Sequence, residues 1–151
     1  MAQKEVAMKV YFGHPVNTYN TELEEHLLTV LPRLFPGSVI ENPNQPHHQD
    51  GYQRYKRERR SGMPYFYEEV LPLCDEGVFL PFGDGAWGAG VYGEAQFLFD
   101  RGKKVWVILN RAFWEHGATM LLVQTLDNVT VLTPEETRLR VYGPEGMRPY
   151  A

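Results

Sequence analysis

"GDGAWGAGVYGEAQFLFDRGKKVWVI" (residues 83–108) joins a glycine-rich segment to an apolar helix pattern and then to a strand pattern. Five of its six glycines come before Glu94, which stands where the pattern turns apolar. The segment "VYGEAQFLFDRG" is predicted to form a helix, and "KKVWVILN" (103–110) has the apolar and β-branched residues of a buried strand. A loop, a helix and a strand in this order are typical of an α/β protein.

Strand and helix patterns alternate along the rest of the chain. The other predicted strands cover 6–13, 38–43, 76–82 and 128–132. The other predicted helices cover 18–35, 63–75, 118–126 and 133–142, and the turn-rich "NPNQPHHQDGYQ" (42–53) is predicted to be a loop. Residues 1–151 are therefore expected to form a single α/β domain with a mostly parallel sheet of about five strands.

The composition limits the function classes. The chain has 15 Lys and Arg against 19 Asp and Glu, and its formal net charge of −4 does not favour a nucleic-acid partner. The N-terminus has no apolar run long enough for a signal peptide or a membrane span. The single cysteine, Cys74, excludes an internal disulfide, and its apolar neighbours favour a buried, inert thiol over a nucleophile. These features predict a cytoplasmic protein that does not bind a membrane.

The loops beyond the strands are the expected ligand site. In a parallel sheet, ligands bind outside the carboxyl ends of the strands, here the loops 13–20, 41–53 and 81–90. Gly88 and Gly90, both in the third loop, let the backbone approach a ligand closely. Glu94 follows, and it has two interpretations. It either complements the dipole of its helix or stays ionised beside the strand ends, as a nucleophile or as a stabiliser of positive charge.

Four short motifs occur in an order that resembles one enzyme family. "VYFG" ends the first strand, "CDEGVFLPF" is a third strand led by an acidic residue, and "GVYGEA" and "RGKKVWVI" follow. In the first strand and in residues 63–108 the chain resembles the nucleoside 2-deoxyribosyltransferase family. The resemblance implies a flavodoxin-like three-layer domain that uses no cofactor. It also implies a homo-oligomer whose sites are completed by a neighbour, for which the C-terminal Tyr150 is our candidate.

The resemblance also implies roles for individual residues. Glu94 looks like the nucleophile that attacks the anomeric carbon, Tyr11 like the tyrosine that orients it, and Gly13 like the glycine that lets the first loop approach the ligand. Breaking an N-glycosidic bond develops positive charge on the sugar, which a carboxylate stabilises or captures. The departing base needs a proton, and Asp84 is our candidate for base recognition or for that proton. The alternative for Asp84 is a turn residue in Gly-Asp-Gly.

Three further side chains are candidates for substrate contact. His14 and Asn17 follow the first strand, although a loop histidine can also be merely solvated. Trp87 is placed to stack on a nucleobase, whereas Trp106 is expected in the core. In "PHHQD" (46–50) adjacent histidines point in different directions in most backbones, and no third ligand stands at motif spacing, so we predict no metal site.

The chain departs from the family pattern at several positions. Tyr67 stands where the family has an aspartate for the sugar hydroxyl, with Glu68 beside it as a substitute. These departures indicate a relative with a different substrate. The basic run "RYKRERR" (54–60) is either a solvated surface or a phosphate grip that includes Arg57 and Arg59.

The sequence therefore predicts an enzyme that cleaves the N-glycosidic bond of a small-molecule nucleoside or nucleotide, or transfers its deoxyribose. One alternative is a hydrolase of nucleoside 5′-monophosphates, which would need the phosphate grip. The other is a non-catalytic nucleotide-binding module of the same fold, which the missing aspartate at Tyr67 supports.

Overall fold

The computed structural model describes residues 7–109, 120–123 and 126–151. The strands are β1 (Lys9–Gly13), β2 (Val39–Glu41), β3 (Glu76–Phe79), β4 (Val105–Leu109), β5 (Met120–Val123), β6 (Tyr142–Gly143) and β7 (Gly146–Met147). The α-helices are α1 (Glu22–Leu34), α2 (Pro46–Arg59), α3 (Ala89–Asp100) and α4 (Pro134–Val141). Residues 1–6, where the sequence predicts no signal peptide, lie outside the described residues.

The main sheet has the strand order β2-β1-β3-β4-β5. Its first four strands are parallel, and β5 pairs antiparallel to β4. Each parallel step needs a crossover connection that packs on a face of the sheet, so strands and helices alternate along the chain. The predicted flavodoxin-like α/β fold with a mostly parallel sheet is confirmed. The short hairpin of β6 and β7 lies apart from this sheet.

Side chains of the central strands alternate between two apolar layers, as the period of a strand requires. On one face, Val10 and Phe12 of β1 belong to the same buried cluster as Leu27 and Leu31 of α1. On the other face, Tyr11 belongs to a cluster that includes residues of α2 and α3. Helices therefore cover both faces of the sheet, and Tyr11 lies on the face that α3 covers. This places Tyr11 toward the helix that carries Glu94.

The loop predicted over 42–53 is wrong, because α2 begins within it. Pro46 occupies the first turn of α2, where its missing N–H costs nothing, and Gln45 precedes it in an extended conformation. The helix buries only His48, Gly51 and Tyr55, so its apolar stripe is too thin for the sequence to reveal.

Two other predictions need correction. The segment 63–75 is helical but irregular, with a π-helical turn at Phe66–Val70 followed by a 3-10 turn at Leu71–Leu73. In the helix predicted over 118–126, the described residues Met120–Val123 form β5, and residues 118, 119, 124 and 125 lie outside the described part. The fifth strand predicted over 128–132 is instead a single bridge between Val131 and Trp87.

Candidate active site

A cavity of about 830 Å³ opens beside the carboxyl ends of β1, β2 and β3. All three loops predicted to bind ligands contribute to it. His14 and Tyr19 come from the loop after β1, Pro43 from the loop after β2, and Phe82 and Gly88 from the loop after β3. The C-terminal part closes the opposite wall with residues of α4 and the short hairpin: Pro134, Thr137, Arg138, Val141, Tyr142 and Met147.

Tyr11 and Glu94 meet at the wall of this cavity. The Tyr11 hydroxyl donates a hydrogen bond to Glu94 Oε2 in a buried setting, and both residues line the cavity. Tyr11 is held by the sheet, because it is the middle residue of β1 and pairs with Gly77 of β3. Glu94 lies in the second turn of α3 and is 7% exposed. The two residues that the sequence singled out are thus brought into direct contact.

Burial controls the ionisation of this pair. Burial raises the pKa of Glu94 to about 8, against the opposing effect of the Tyr11 hydrogen bond. Burial, and next the charge of Glu94, raise the pKa of Tyr11 well above its usual value, so its hydroxyl remains a donor. At neutral pH the burial of Glu94 therefore favours its protonated form over the ionised form that one of the two interpretations requires. The helix dipole acts most strongly in the first turn. Because α3 begins at Ala89, the Glu94 carboxyl lies beyond that turn.

Tyr19 is a cavity residue that sequence reasoning missed. Burial, and then the nearby carboxylates of Glu94 and Glu24, raise the pKa of Tyr19 above its usual value. Its hydroxyl receives and donates no hydrogen bond within the part of the chain that the structure describes. A protonated hydroxyl at the cavity wall can donate a hydrogen bond to a ligand. No motif signals it, since it precedes α1 in an ordinary turn.

His14 lines the cavity and is locked in place rather than solvated. Its Nδ1 lies 3.0 Å from the Phe12 carbonyl oxygen and its Nε2 lies 2.7 Å from Glu24 Oε2. The ring also stacks on Phe12, with centroids 3.9 Å apart. Both ring nitrogens thus have partners within the chain. His14 therefore forms a fixed part of the cavity wall beside the carboxyl end of β1.

Glu24 anchors this arrangement from the start of α1. Burial acts to raise its pKa, but hydrogen bonds from His14, the Asn20 backbone and the Asn44 side chain hold the pKa below its usual range. The Asn44 amide lies 2.9 Å from Glu24 Oε1. The Glu24 network thus joins the loop after β1 to the loop after β2.

Asp84 and Trp87 are not among the residues that line the cavity. The Asp84 carboxylate forms an ion pair with Arg140 and accepts a hydrogen bond from the Ala86 backbone, as a turn aspartate does. The Arg140 hydrogen bond, with the turn, lowers the pKa of Asp84. Trp87 is only 2% exposed and packs on Phe79, because its backbone is bridged to Val131. The structure does not bring either residue to Glu94.

Gly13 and Asn17 also lie behind the cavity wall, whereas Gly88 and Gly90 line it. A Cβ on Gly13 would lie 2.4 Å from the Phe79 ring, so core packing alone already requires a glycine here. The Asn17 amide donates to the Arg148 carbonyl at 3.1 Å, which holds the C-terminal part against the loop after β1.

The positions where the chain departs from the family pattern also have structural explanations. The Tyr67 hydroxyl fills the space beside Gly93, where a Cβ would lie 2.5 Å from it, and burial and Glu94 raise its pKa to about 12. Glu68 pairs with Arg59 on the surface and does not replace the missing aspartate. The basic run lies on α2, and its arginines are not among the cavity residues.

Tyr150 packs on its own chain. Its hydroxyl donates to the Pro81 carbonyl at 2.5 Å, and its ring stacks near Phe82. The Gly83 backbone N–H donates to the carbonyl oxygen of Ala151 at 2.9 Å. The C-terminal residues therefore brace the loop after β3 within one chain. That Tyr150 reaches a neighbouring subunit, as the resemblance implies, stays a prediction.

Three comparisons were made: with protein-family models, with curated proteins and with solved structures. None gives a match. In the described residues, no helix is both long and apolar enough to cross a bilayer.

A group of possible metal ligands lies outside the cavity lining. Glu41, His47 and His48 place one ligand atom each within 4.8 Å of the others. The sequence predicts no metal at these histidines, because no third ligand stands at motif spacing. The structure supplies that third residue from β2.

Proposed function

We propose that the protein cleaves the N-glycosidic bond of a nucleoside or nucleotide, with Glu94 as the nucleophile. One observation carries the proposal: a buried carboxyl, oriented by the Tyr11 hydroxyl, faces a cavity at the carboxyl edge of the sheet. The cavity volume of about 830 Å³ is of the size that holds a small organic ligand. The resemblance to the 2-deoxyribosyltransferase family supports the same roles for the two residues.

The chemistry follows from the ionised form of Glu94. Its carboxylate attacks the anomeric carbon as the C–N bond breaks, and the bond electrons leave with the base. The base takes up a proton from solvent, and a glycosyl ester with Glu94 remains. Water or a second base then attacks the anomeric carbon and releases the carboxylate. Tyr19 offers a hydroxyl to the leaving base, and Asp84 has no role in this scheme because it pairs with Arg140.

The decisive experiment measures release of free base from a panel of nucleosides and 5′-nucleotides. We expect the wild-type protein to release base from at least one of them and Glu94→Gln to lose about two or more orders of magnitude in kcat. Glu58→Gln, which changes an exposed glutamate of α2, is the matched control and should keep full activity.

Two results would contradict the proposal. Equal turnover by wild type and Glu94→Gln would remove the nucleophile. Tight binding of nucleotides without any release of base would favour the non-catalytic module instead.

A second candidate function is hydrolysis of nucleoside 5′-monophosphates, and Arg138 favours it. Arg138 lines the cavity from α4, and no acidic side chain of the described residues pairs with it. Arginine binds phosphate through a fork of donors. In this proposal Arg138 replaces Arg57 and Arg59 as the phosphate grip, since those residues lie on α2 away from the cavity.

Activity ratios separate the two substrate classes. Arg138→Ala should raise KM for 5′-monophosphates and leave turnover of nucleosides unaffected, whereas Arg57→Ala, the matched control, should change neither. An equal loss on both substrate classes would show that Arg138 does not contact a phosphate.

A further inference from the structure

The start of α2 and the end of β2 bring three metal-binding side chains together. Glu41 is the last residue of β2, and His47 and His48 lie in the first turn of α2. The two imidazole rings have centroids 4.0 Å apart and are tilted by 39°. One ligand atom from each of the three residues lies within 4.8 Å of the other two. The side chains of the two neighbouring histidines therefore converge, although adjacent residues on a helix usually diverge.

His48 is oriented like a histidine that binds a metal. Its ring is buried, its Nδ1 lies 2.7 Å from the Tyr65 hydroxyl, and its Nε2 is in direct hydrogen-bond contact with Glu41 Oε1. In metal sites the second ring nitrogen almost always has a hydrogen-bond partner that fixes the ring. Tyr65 occupies that position here, so Nε2 is aimed at the carboxylate.

Glu41 divides its two oxygens between different neighbours. Oε1 faces His48, and Oε2 lies 4.0 Å from Lys9 Nζ. A carboxylate held in this way can bind a cation through one oxygen. Its negative charge also offsets the positive N-terminus of α2. His47 is exposed, so its ring can adjust to complete the set.

We propose that Glu41, His47 and His48 form a site for a divalent transition metal, with Zn²⁺ as the best match. Two imidazole nitrogens and one carboxylate oxygen suit Zn²⁺ better than Mg²⁺ or Ca²⁺, which prefer oxygen ligands alone. Three protein ligands leave the fourth tetrahedral position to water or to a small ligand. The metal joins β2 to α2, and α2 carries the cavity residues Gln49 and Tyr52. The site thereby stiffens one wall of the cavity.

The test is Zn²⁺ affinity, measured with tag-free, chelator-treated protein against a competing chromophoric chelator. Wild type should bind one Zn²⁺ and melt at a higher temperature when it is added. His47→Ala and Glu41→Gln should weaken binding at least tenfold. Tyr65→Phe should weaken it by about 10- to 100-fold, as the loss of a hydrogen bond to a metal ligand does. His26→Ala, on α1, is the matched control and should bind as wild type does.

Two outcomes would overturn the metal site. One is the absence of stoichiometric Zn²⁺ binding by the wild-type protein. The other is equal affinity in wild type and His47→Ala, which would place the bound Zn²⁺ elsewhere and leave Tyr65, His48 and Glu41 as a hydrogen-bonded chain. His47 is the decisive position because it is exposed, so its substitution does not disturb the core as a change at His48 would. The measurement needs no enzymatic readout and is independent of the proposed function.

Discussion

At the scale of single residues, the burial of Glu94 in the cavity wall lowers the stability of the folded protein when this carboxyl ionises. Its folded-state pKa of about 8 lies above its usual value of 4.5, so the folded protein favours the protonated form. The stabilisation from the bound proton is complete below pH 4.5 and is lost as the pH rises toward 8. A buried carboxyl in contact with one hydroxyl is therefore stable only while it is neutral, yet the proposed attack on a sugar requires the ion.

This conflict predicts how Glu94→Gln changes the free energy of unfolding. The variant should match wild type near pH 4.5 and become more stable than wild type as the pH rises, by about 1.4 kcal/mol per pH unit up to about pH 8. Urea denaturation across this range measures the difference. Glu58→Gln should show no such trend, and a flat difference for Glu94→Gln would mean that Glu94 titrates normally.

The Tyr11 hydrogen bond predicts the pH dependence of the reaction. Because kcat/KM follows the ionisation of the free enzyme, it should rise with pH until about pH 8 in wild type. Tyr11→Phe removes the donor that lowers the pKa of Glu94, so the rise should move to higher pH. Tyr92→Phe is the matched control, since the Tyr92 hydroxyl donates to Gln96. A profile that does not move in Tyr11→Phe would show that Tyr11 does not act through Glu94.

The contact of Tyr11 with Glu94 was expected from the family resemblance, and His14, Gly88 and Gly90 were expected in the loops beyond the strands, but Tyr19 and Arg138 were not predicted. The loops could be predicted because ligands bind outside the carboxyl ends of parallel strands, which meet at one edge of the sheet. Arg138 belongs to α4, whose position depends on how the tail returns over the sheet. Trp87 was misplaced because its bridge to Val131 is a long-range contact, and a glycine-flanked aromatic residue in a loop does not reveal it.

At the scale of elements, packing against aromatic rings explains why the hydrophobic periodicity of the sequence does not predict α2. α2 packs through a few close contacts, not through an apolar stripe, and Gly51 makes one of them. A Cβ on Gly51 would lie 2.2 Å from the ring of Tyr65. Hydrophobic periodicity detects α1 and α3, which bury regular faces, but it does not detect a mainly polar helix that approaches through a glycine.

Two glycine substitutions test this explanation. Gly51→Ala should lower the free energy of unfolding by about 1–3 kcal/mol, because the buried Tyr65 ring cannot move without losing its contact with His48. Gly90→Ala is the matched control in the first turn of α3, where a Cβ would meet only Met63 Cε at 3.8 Å. It should leave stability equal or raise it by about 0.5–1 kcal/mol. Similar effects of the two changes in urea denaturation would contradict the close contact.

At the scale of the whole molecule, the C-terminal part and the loops after β1 and β3 enclose the cavity together. The loop after β1 is tied to the C-terminal part through the hydrogen bond of Asn17 to Arg148, and the loop after β3 is tied to it through Tyr150 and Ala151. The sequence motifs predict the part of the cavity wall formed by the loops after β1 and β3. The C-terminal part of the wall is placed by long-range hydrogen bonds, which no motif indicates. Fold class was predictable because alternation of strands and helices allows few topologies.

The Tyr150 contact predicts a stability effect without a change of assembly. Tyr150→Phe removes the hydrogen bond to the Pro81 carbonyl, so the free energy of unfolding should fall by about 1 kcal/mol. Tyr142→Phe, at an exposed ring, is the matched control and should have little effect. Because Tyr150 packs on its own chain, sedimentation should give the same molecular mass for wild type and Tyr150→Phe. A variant that keeps its stability but changes its mass would place Tyr150 in a contact between subunits, as the family resemblance implied, and each cavity would then depend on a neighbouring chain.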